Sequence, residues 1–261
     1  MKKFFKNETN LAIILGALLI SVSIVAYGLM SRNSNNSGKE NSISNLMNAD
    51  KMFQGKEFKD NEYILGNSKN KITVLVYSDF ECPFCKMLQE KTIQILQKEY
   101  ANSKDFSDAK IGIVYRHFAQ SYHDKAPNEI NASLCARELY GQNVYINFIN
   151  RIYAISPTNN GLDQNLLPDI ANFSVNEAKE NKQDIKKDFD KEEFVACVSA
   201  KVYNSEFQSD AQDAVEAGLD GTPYTLILYR DGNDHIVLNK ISGAKEVGYF
   251  EKIINKLLKV K

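Results

Sequence analysis

The chain has 261 residues, and its 32 basic and 33 acidic side chains leave a formal net charge of −1. This balance gives no support to nucleic-acid binding, which relies on an excess of basic side chains. The sequence also contains neither a glycine-rich phosphate loop nor an internal repeat, so it does not point to a nucleotide-binding site or a repeat architecture.

The first predicted element is an uncharged stretch, residues 11–30, which is long enough to cross a bilayer as one helix. Three lysines precede it, and a short basic tail normally stays in the cytoplasm. We therefore predict a cytoplasmic tail over residues 1–10, a single-pass anchor over 11–30, and the rest of the chain on the outer side of the membrane. The alternative is a cleaved signal peptide, with Ala26–Gly28 as a passable cleavage site. Residues 31–55 are rich in Ser, Asn and charge, which predicts a flexible linker.

The apolar run Ile72–Tyr77 predicts a strand, and Lys86–Tyr100 predicts a helix. Between them lies Cys82–Cys85, with the sequence Cys-Pro-Phe-Cys. A Cys-x-x-Cys pair at the start of a helix favours thiol–disulfide exchange, because unpaired backbone N–H groups and the helix dipole stabilise a thiolate there. The alternatives are half of a zinc site, for which a second close cysteine pair is missing, and two buried structural thiols.

The middle of the chain predicts one more strand, Ile111–Phe118, and then about 100 residues of mainly helical character. Residues 166–173 and 175–189 give weaker helical patterns than the rest. Elsewhere in this region apolar residues recur at helical spacing. The first group is Ile130, Leu134, Leu139, Val144, Tyr145, Phe148, Ile149 and Ile152, and the second is Phe194, Val198, Val202, Ala211, Ala214 and Val215.

The C-terminal part of the chain predicts a hairpin and a closing helix. Thr225–Tyr229 and His235–Ile241 have strand character and flank a turn at Asp231–Asp234. Glu246–Val260 places its large apolar side chains on one face, which is typical of an amphipathic helix.

Two stretches resemble the DsbA-like family of thiol oxidoreductases. Residues 78–85, Ser-Asp-Phe-Glu-Cys-Pro-Phe-Cys, resemble the active-site stretch, and residues 218–224, Gly-Leu-Asp-Gly-Thr-Pro-Tyr, resemble the loop that carries the family's cis-proline. The resemblance implies an α/β, thioredoxin-like fold over residues 56–261, with a helical insertion over about 125–217. In that fold the proline loop faces the cysteine pair. A cis Thr222–Pro223 bond would present backbone to a substrate segment as an added strand.

The motif also implies roles for individual residues. Cys82 is expected to be the exposed nucleophile, and Cys85 the thiol that resolves a mixed disulfide. No metal and no other cofactor is expected. The family implies reduced exported proteins as substrates and a membrane protein of the DsbB or VKOR type as the electron acceptor. Substrate binding is expected at four neighbouring positions, Pro83, Phe84, Thr222 and Pro223.

The remaining cysteines, Cys135 and Cys197, both fall in predicted helices of the insertion. An exported domain meets an oxidising compartment, where neighbouring thiols tend to pair. Related DsbA-like proteins sometimes carry a second disulfide in this region, so we expect a structural disulfide here. The alternative is two separate buried thiols that act as small hydrophobic groups.

Two positions depart from the family pattern. Phe84 stands where the best-known DsbA has His, and a phenyl ring cannot donate a hydrogen bond to the Cys82 thiolate. Val76 stands six residues before the first cysteine, where thioredoxin and DsbA have a carboxylate that assists proton transfer. Asp79 and Glu81 are nearby acids with either a catalytic role or a surface position. The histidines are scattered and are expected to be structural or at the surface: His117, His123 and His235.

Three functions stay open on these grounds. The first is an anchored, extracytoplasmic oxidase that introduces disulfides into exported proteins. The second is a reductase or isomerase using the same cysteines, although isomerases of this type usually add a dimerisation domain, and residues 31–55 are too short and polar for one. The third is a substrate-binding or chaperone-like module with purely structural cysteines, against which the intact nucleophile and resolving thiol argue.

Overall fold

The computed structural model describes residues 51–53, 55–101 and 109–259. The predicted tail, the predicted anchor and most of the predicted linker lie outside these described residues. Within the described ranges, no helix combines the length and the apolar character needed to cross a bilayer.

A mixed β-sheet forms the centre of the described part. Its strands are β1 Lys51–Met52, β2 Tyr63–Leu65, β3 Ile72–Ser78, β4 Gly112–His117, β5 Tyr224–Asp231 and β6 Asp234–Ser242. Their order in the sheet is β1-β6-β5-β3-β4-β2. β3 and β4 run parallel, and the other neighbouring pairs are antiparallel. All seven residues of β3 are buried, which explains why its sequence is nearly continuous in apolar residues.

Helices surround this sheet. In chain order they are α1 Pro83–Leu88, α2 Gln94–Tyr100, α3 Ala126–Tyr140, α4 Gln142–Ile155, α5 Leu167–Glu180, α6 Lys191–Ser199, α7 Asn204–Glu216 and α8 Val247–Leu257. A π-helical turn, Gln89–Ile93, connects α1 to α2. The parallel unit from β3 to β4 comes first, the helices α3 to α7 follow, and the hairpin β5–β6 with α8 closes the fold. This order confirms the predicted α/β class and the thioredoxin-like fold with inserted helices.

The structure corrects the two weaker helix predictions in the insertion. The two predicted segments, 166–173 and 175–189, form the single helix α5, which ends at Glu180. The chain then takes a left-handed conformation at Lys182, with φ of 55°, which interrupts the helix. Asp190 caps the next helix by accepting a hydrogen bond from the backbone N–H of Glu193, so residues 181–190 are a connection rather than a helix.

The apolar residues predicted on α7 do not all face the core. Val215 is 62% exposed, and Val202, just before the helix, is 54% exposed. The inner side of α7 instead carries two acids, Asp210 and Asp213, which are almost fully buried. Buried acids of this kind need charged or hydrogen-bonded partners, because an unpaired charge is costly in the interior.

The sheet provides those partners. The guanidinium of Arg116 on β4 is fully buried and donates a hydrogen bond to Asp213 Oδ2 at 2.5 Å. Tyr77 on β3 donates its hydroxyl to the same oxygen at 2.6 Å. The Lys56 ammonium lies 2.5 Å from Asp210 Oδ1. These pairs fix α7 and the start of the domain to one end of β3 and β4.

The sheet begins earlier than predicted. β1 lies inside residues 31–55, the segment predicted as a linker, and it pairs with β6. The backbone N–H of Phe53 then donates to His235 O at 2.7 Å. A polar segment can extend a sheet edge in this way because the pairing uses backbone groups and needs no apolar side chains.

Cys135 on α3 and Cys197 on α6 are joined by a disulfide with an S–S distance of 2.07 Å, and they lie 62 residues apart in sequence. Closing a loop of that length removes conformational entropy from the unfolded chain, worth roughly 4 kcal/mol in the chain-entropy model. We expect the Cys135→Ser/Cys197→Ser protein to lose stability of up to about that size in urea titrations, while thiol exchange persists.

The corresponding double alanine variant is the control, because serine would also bury a hydroxyl at position 135, which is fully inaccessible. A similar loss in both variants assigns the effect to the cross-link. Free thiols at both positions, found by mass spectrometry of the unreduced protein, would contradict the bridge.

Candidate active site

The cysteine pair lies where the central strand ends. β3 stops at Ser78, a short turn follows, and Cys82 is the residue that precedes the first residue of α1, Pro83. The missing N–H of proline costs nothing there, because the first amides of a helix have no partner within the helix. Cys85 lies one turn further on and is fully buried.

Cys82 is less open than predicted, since the residue is only 5% exposed. The loop before β5 lies over Cys82. In this loop the Thr222–Pro223 peptide bond is cis, as the family resemblance implied. The Cys82 thiol donates a hydrogen bond to Thr222 O, with a Sγ–O distance of 3.3 Å. Pro223 O in turn accepts a hydrogen bond from Gly243 N at 2.9 Å, which fixes this loop to the end of β6.

The two thiols differ strongly in acidity. The pKa of Cys82 is lowered to about 6, chiefly because Cys85 donates a hydrogen bond to its sulfur. The backbone N–H groups of Phe84 and Cys85 at the helix start act in the same direction, and so does the Thr222 side chain, while burial opposes them. Burial raises the pKa of Cys85 well above its ordinary value, and the neighbouring Cys82 reinforces the rise. At neutral pH these shifts favour a thiolate at Cys82 and a thiol at Cys85, and the hydrogen bond from Cys82 to Thr222 O belongs to the protonated form of Cys82.

Asp79 connects the turn to the proline loop and is fully buried, so a surface position is excluded. Its backbone N–H donates to Cys85 Sγ at 3.4 Å. Its carboxylate accepts hydrogen bonds from Gln120 N at 2.8 Å and from His123 Nδ1 at 2.7 Å. Gln120 Nε2 reaches Thr222 Oγ1 at 3.4 Å. Burial raises the pKa of Asp79, against these hydrogen bonds, which lower it.

His123 and Gln120 were not predicted as site residues. His123 and Asp79 are 44 residues apart in the sequence, so no local sequence pattern predicts that they pair. The motif at residues 78–85 predicts the acid, while only the fold places the partner beside it. His117 is buried as well, on β4.

Glu81 is also fully buried, and it faces Glu129 of α3, which is equally inaccessible. Gly161 N donates to Glu81 Oε2 at 3.3 Å, and Gln164 Nε2 donates to Glu129 Oε1 at 2.8 Å. No other protein donor reaches the second oxygen of either carboxyl. The two groups instead hydrogen-bond to each other, which requires one shared proton. The pKa of Glu129 is raised to about 9, first by burial and then by Glu81.

The surface around the pair is apolar. Phe84 is 57% exposed and Met87, one turn later, is 48% exposed, while Pro83 also faces solvent. Among the described residues, no three or more His, Cys, Asp or Glu side chains form a group that could hold a metal ion. The site therefore presents a thiolate beneath a backbone loop, with an apolar rim and buried acids behind it.

A thioredoxin-like fold with an acidified thiol and a resolving thiol at a helix N-terminus defines a thiol:disulfide oxidoreductase. The family model described as Thioredoxin matches residues 59–246. The chain belongs to this thioredoxin family. No curated protein sequence gives a significant match.

Several solved structures have a similar fold. A single-substitution variant of alpha-DsbA1 from Wolbachia pipientis has a TM-score of 0.59 and 22% identity, covering 79% of this chain and 94% of that one. BdbD from Bacillus subtilis, in its oxidised form, has a TM-score of 0.59 and 15% identity, covering 80% and 100%. DsbA2 from Pseudomonas aeruginosa has a TM-score of 0.56 and 21% identity, covering 77% and 96%. At these identities the similarity shows a shared fold.

Proposed function

We propose that this protein is an extracytoplasmic oxidase of the DsbA type, which introduces disulfide bonds into exported proteins through Cys82 and Cys85. The observation that carries the proposal is the stabilised Cys82 thiolate at the start of α1, opposite the cis-proline loop. A thiolate that is stabilised in the reduced enzyme makes the disulfide form a better oxidant, because forming the disulfide gives that stabilisation up.

The reaction begins with the Cys82–Cys85 disulfide. A substrate thiolate attacks Cys82 Sγ, a mixed disulfide forms, and Cys85 leaves with the electron pair of the broken bond. A second substrate thiol, once ionised, attacks the substrate sulfur of the mixed disulfide and releases Cys82 as a thiolate. The substrate gains a disulfide, and the enzyme is left reduced.

The surroundings of Cys82 suit an unfolded chain as substrate. The Thr222 carbonyl, which accepts the Cys82 hydrogen bond in the structure, is placed to pair with an extended substrate backbone. The exposed phenyl ring of Phe84 and the exposed thioether of Met87 offer contact to apolar side chains that a folded protein would bury. Together they favour unfolded or partly folded exported proteins over small thiols.

The acidity of Cys82 bears on the direction of exchange. Its pKa of about 6 lies between the values of about 7 in thioredoxin and about 3.5 in DsbA. This intermediate pKa agrees with the presence of Phe84 at a position where the best-known DsbA has a hydrogen-bonding His. We therefore propose an oxidase of moderate strength, and a reductase or isomerase that uses the same cysteines is the second candidate.

The location and the partners complete the proposal. Residues 11–30 would anchor the protein in the cell membrane as a single span, with residues 56–261 on the periplasmic or extracellular side. A membrane protein of the DsbB or VKOR type would accept electrons from the reduced pair. The DsbA proteins among the similar structures support this setting.

We expect the reduced protein to melt above the oxidised protein at pH 7, and this difference to shrink near pH 4. The folded-state pKa of Cys82 is depressed, so its thiolate contributes stability above the unfolded value, near 8.5, and loses it as the pH falls through about 6. Part of the contribution is present at pH 7, and none remains at pH 4. Cys85 stays protonated over this range because its pKa is raised.

Thermal melts of both redox forms, with the Cys135–Cys197 bridge intact in each, measure the difference. The contributions of other titrating groups to the melting temperature cancel in this difference, because the same groups are present in both samples. An oxidised form that melts higher at both pH values would overturn the oxidase and favour the reductase. A failure to form disulfides in a reduced protein substrate over many turnovers would instead favour the non-catalytic module.

A further inference from the structure

The buried thiol of the pair, Cys85, must be ionised at one point in every exchange. Its thiolate is the leaving group when the Cys82–Cys85 disulfide opens and the nucleophile when the disulfide closes. Cys85 is fully buried, and a buried charge is costly unless hydrogen-bond donors reach it. Val76, at the position where thioredoxin and DsbA have a carboxylate, cannot assist proton transfer. The donors around Cys85 therefore govern how readily it ionises.

One such donor comes from the turn between β3 and α1. The backbone N–H of Asp79 donates to Cys85 Sγ at 3.4 Å. Cys85 gives its own proton to Cys82, so its sulfur is the acceptor towards Asp79. A backbone N–H does not ionise, and it can stay beside the sulfur of a thiol, a thiolate or a disulfide. The hydrogen bond is strongest to the thiolate, because a charged acceptor strengthens it.

The backbone of Asp79 is fixed on its other side as well. Asp79 O accepts hydrogen bonds from Cys82 N at 3.1 Å and from the Tyr153 hydroxyl at 3.2 Å. The side-chain oxygen Oδ1 accepts from Glu81 N, two residues further on, at 2.9 Å, which closes an Asx turn. Asp79 thus contacts both cysteines through backbone groups, and its own carboxylate closes the turn that aims them.

The loop after β4 holds the other carboxylate oxygen. Asp79 Oδ2 accepts hydrogen bonds from Gln120 N at 2.8 Å and from His123 Nδ1 at 2.7 Å. A carboxylate has no hydrogen to give, so the proton of the second bond lies on Nδ1. His123 is only 3% exposed and Asp79 is fully buried, so water does not compete for these bonds. Donors from two separate segments therefore keep the Asp79 carboxylate in one orientation.

We infer that Asp79 and His123 are positioning residues for the exchange reaction. The Asp79 carboxylate, held by His123, keeps the Asp79 N–H aimed at Cys85 Sγ, where this N–H stabilises the thiolate. The inference deepens the proposed function and rests on it.

The exchange step balances with the N–H in this role. In the opening step a substrate thiolate attacks Cys82 Sγ, the Cys82–Cys85 bond breaks, and its electron pair goes to Cys85 Sγ. That thiolate accepts the hydrogen bond from Asp79 N–H and then takes up one proton, equivalent to the one that the attacking thiol released on ionisation. In the closing step the same transfers run in reverse.

Asp79→Asn tests the inference through two rate constants. The first describes the opening of the Cys82–Cys85 disulfide by reduced glutathione, and the second its closure from the Cys82–glutathione mixed disulfide. Acid quenching followed by mass spectrometry measures both. Asparagine keeps the size of the side chain, but if its oxygen faces Glu81 N, its NH2 group faces the N–H of Gln120, and two donors then meet.

We expect both rate constants of Asp79→Asn to fall about tenfold, because a poorly aimed N–H stabilises the charged sulfur less in the transition state. Their ratio should change less than about threefold, since Cys85 is a thiol or part of a disulfide at either end, and neither is a strong acceptor. A substitution that merely destabilised one redox form would change the ratio instead.

Two substitutions at position 123 separate positioning from packing. His123→Leu is apolar and has no donor, so it should slow both steps by roughly threefold. His123→Asn places an N–H as many bonds from the backbone as Nδ1, so its rates should lie close to those of the wild type although it fills less space. A residue needed only for packing would give the reverse order.

Asp210→Asn is the matched control at another buried acid. Asp210 also pairs with a basic side chain, Lys56, at 2.5 Å and accepts from a backbone N–H, that of His117, at 3.2 Å. It lies on α7, and these partners are outside the turn that carries the cysteines. Asp210→Asn should therefore lose stability and leave both rate constants unchanged.

Unchanged rate constants in folded Asp79→Asn would overturn the inference. So would a fall in one direction only, or an equal fall in Asp210→Asn. If Asp79→Asn does not fold, the substitutions at position 123 decide, and equal rates in His123→Leu and His123→Asn overturn it. A wild-type disulfide that neither glutathione nor a reduced protein substrate opens would overturn the proposed function, and the inference with it.

Discussion

Replacement of Cys85 by serine is expected to leave the protein covalently joined to its substrates. Cys82 can still enter a mixed disulfide, but the thiol that would release it is gone. We expect turnover to fall to background and mixed disulfides with exported proteins to accumulate, visible as bands on non-reducing gels that collapse on reduction. The serine hydroxyl can accept the hydrogen bond that Asp79 N donates to Cys85 Sγ, so the fold should be retained.

Cys82→Ser is the matched control, since it removes the other thiol of the same pair. It should accumulate no mixed disulfides, because Cys85 is fully buried and substrates cannot reach it. Equal trapping by the two variants would contradict the assigned roles of nucleophile and resolving thiol.

A second large effect is expected from Glu129→Gln at alkaline pH. The folded-state pKa of Glu129 is raised to about 9, so its protonated form contributes stability that is complete below the unfolded value, about 4.3, and is lost as the pH rises through about 9. The glutamine amide can donate to Glu81 without needing a proton, and its carbonyl can still accept from Gln164. We expect the variant to keep its stability where the wild type loses it.

Urea titrations at pH 5, 7 and 9 measure this difference in the free energy of unfolding. Each unit of pKa shift corresponds to about 1.4 kcal/mol, so the wild type should lose a few kcal/mol more than the variant between pH 5 and 9. Glu192→Gln, at an exposed acid of α6, removes the same charge outside the interior and should follow the wild type. A parallel fall in wild type and Glu129→Gln would show that the two buried carboxyls share no proton.

The sequence predicts those parts of this protein whose signals are local. The continuous apolar run of β3, the Cys-Pro-Phe-Cys motif and the hairpin around Gly232 each lie within one unbroken stretch of the sequence. The cysteine pair and the cis-proline loop were recognised because both lie within short motifs that resemble a known family.

The acids behind the thiols could not be predicted in the same way. Asp79 meets His123 only after the chain has passed through β4, and Glu81 meets Glu129 only after it has returned along α3. Neither pairing has a spacing that marks it in the sequence. Hydrophobic periodicity also misleads on α7, because it assigns Val215 to the core and has no means of recognising that Asp213 is buried in an ion pair.

The π-helical turn at Gln89–Ile93 has a consequence for alignment with related chains. Such a turn holds one residue more than an α-helical turn, so residues beyond it are rotated by about 100° relative to a regular helix. Within the turn, Gln89 accepts a hydrogen bond from the Tyr115 hydroxyl, and Thr92 donates one to Lys245 O. A relative with an unbroken helix should need a one-residue gap here. An ungapped alignment would match every later position of that helix to the wrong neighbour.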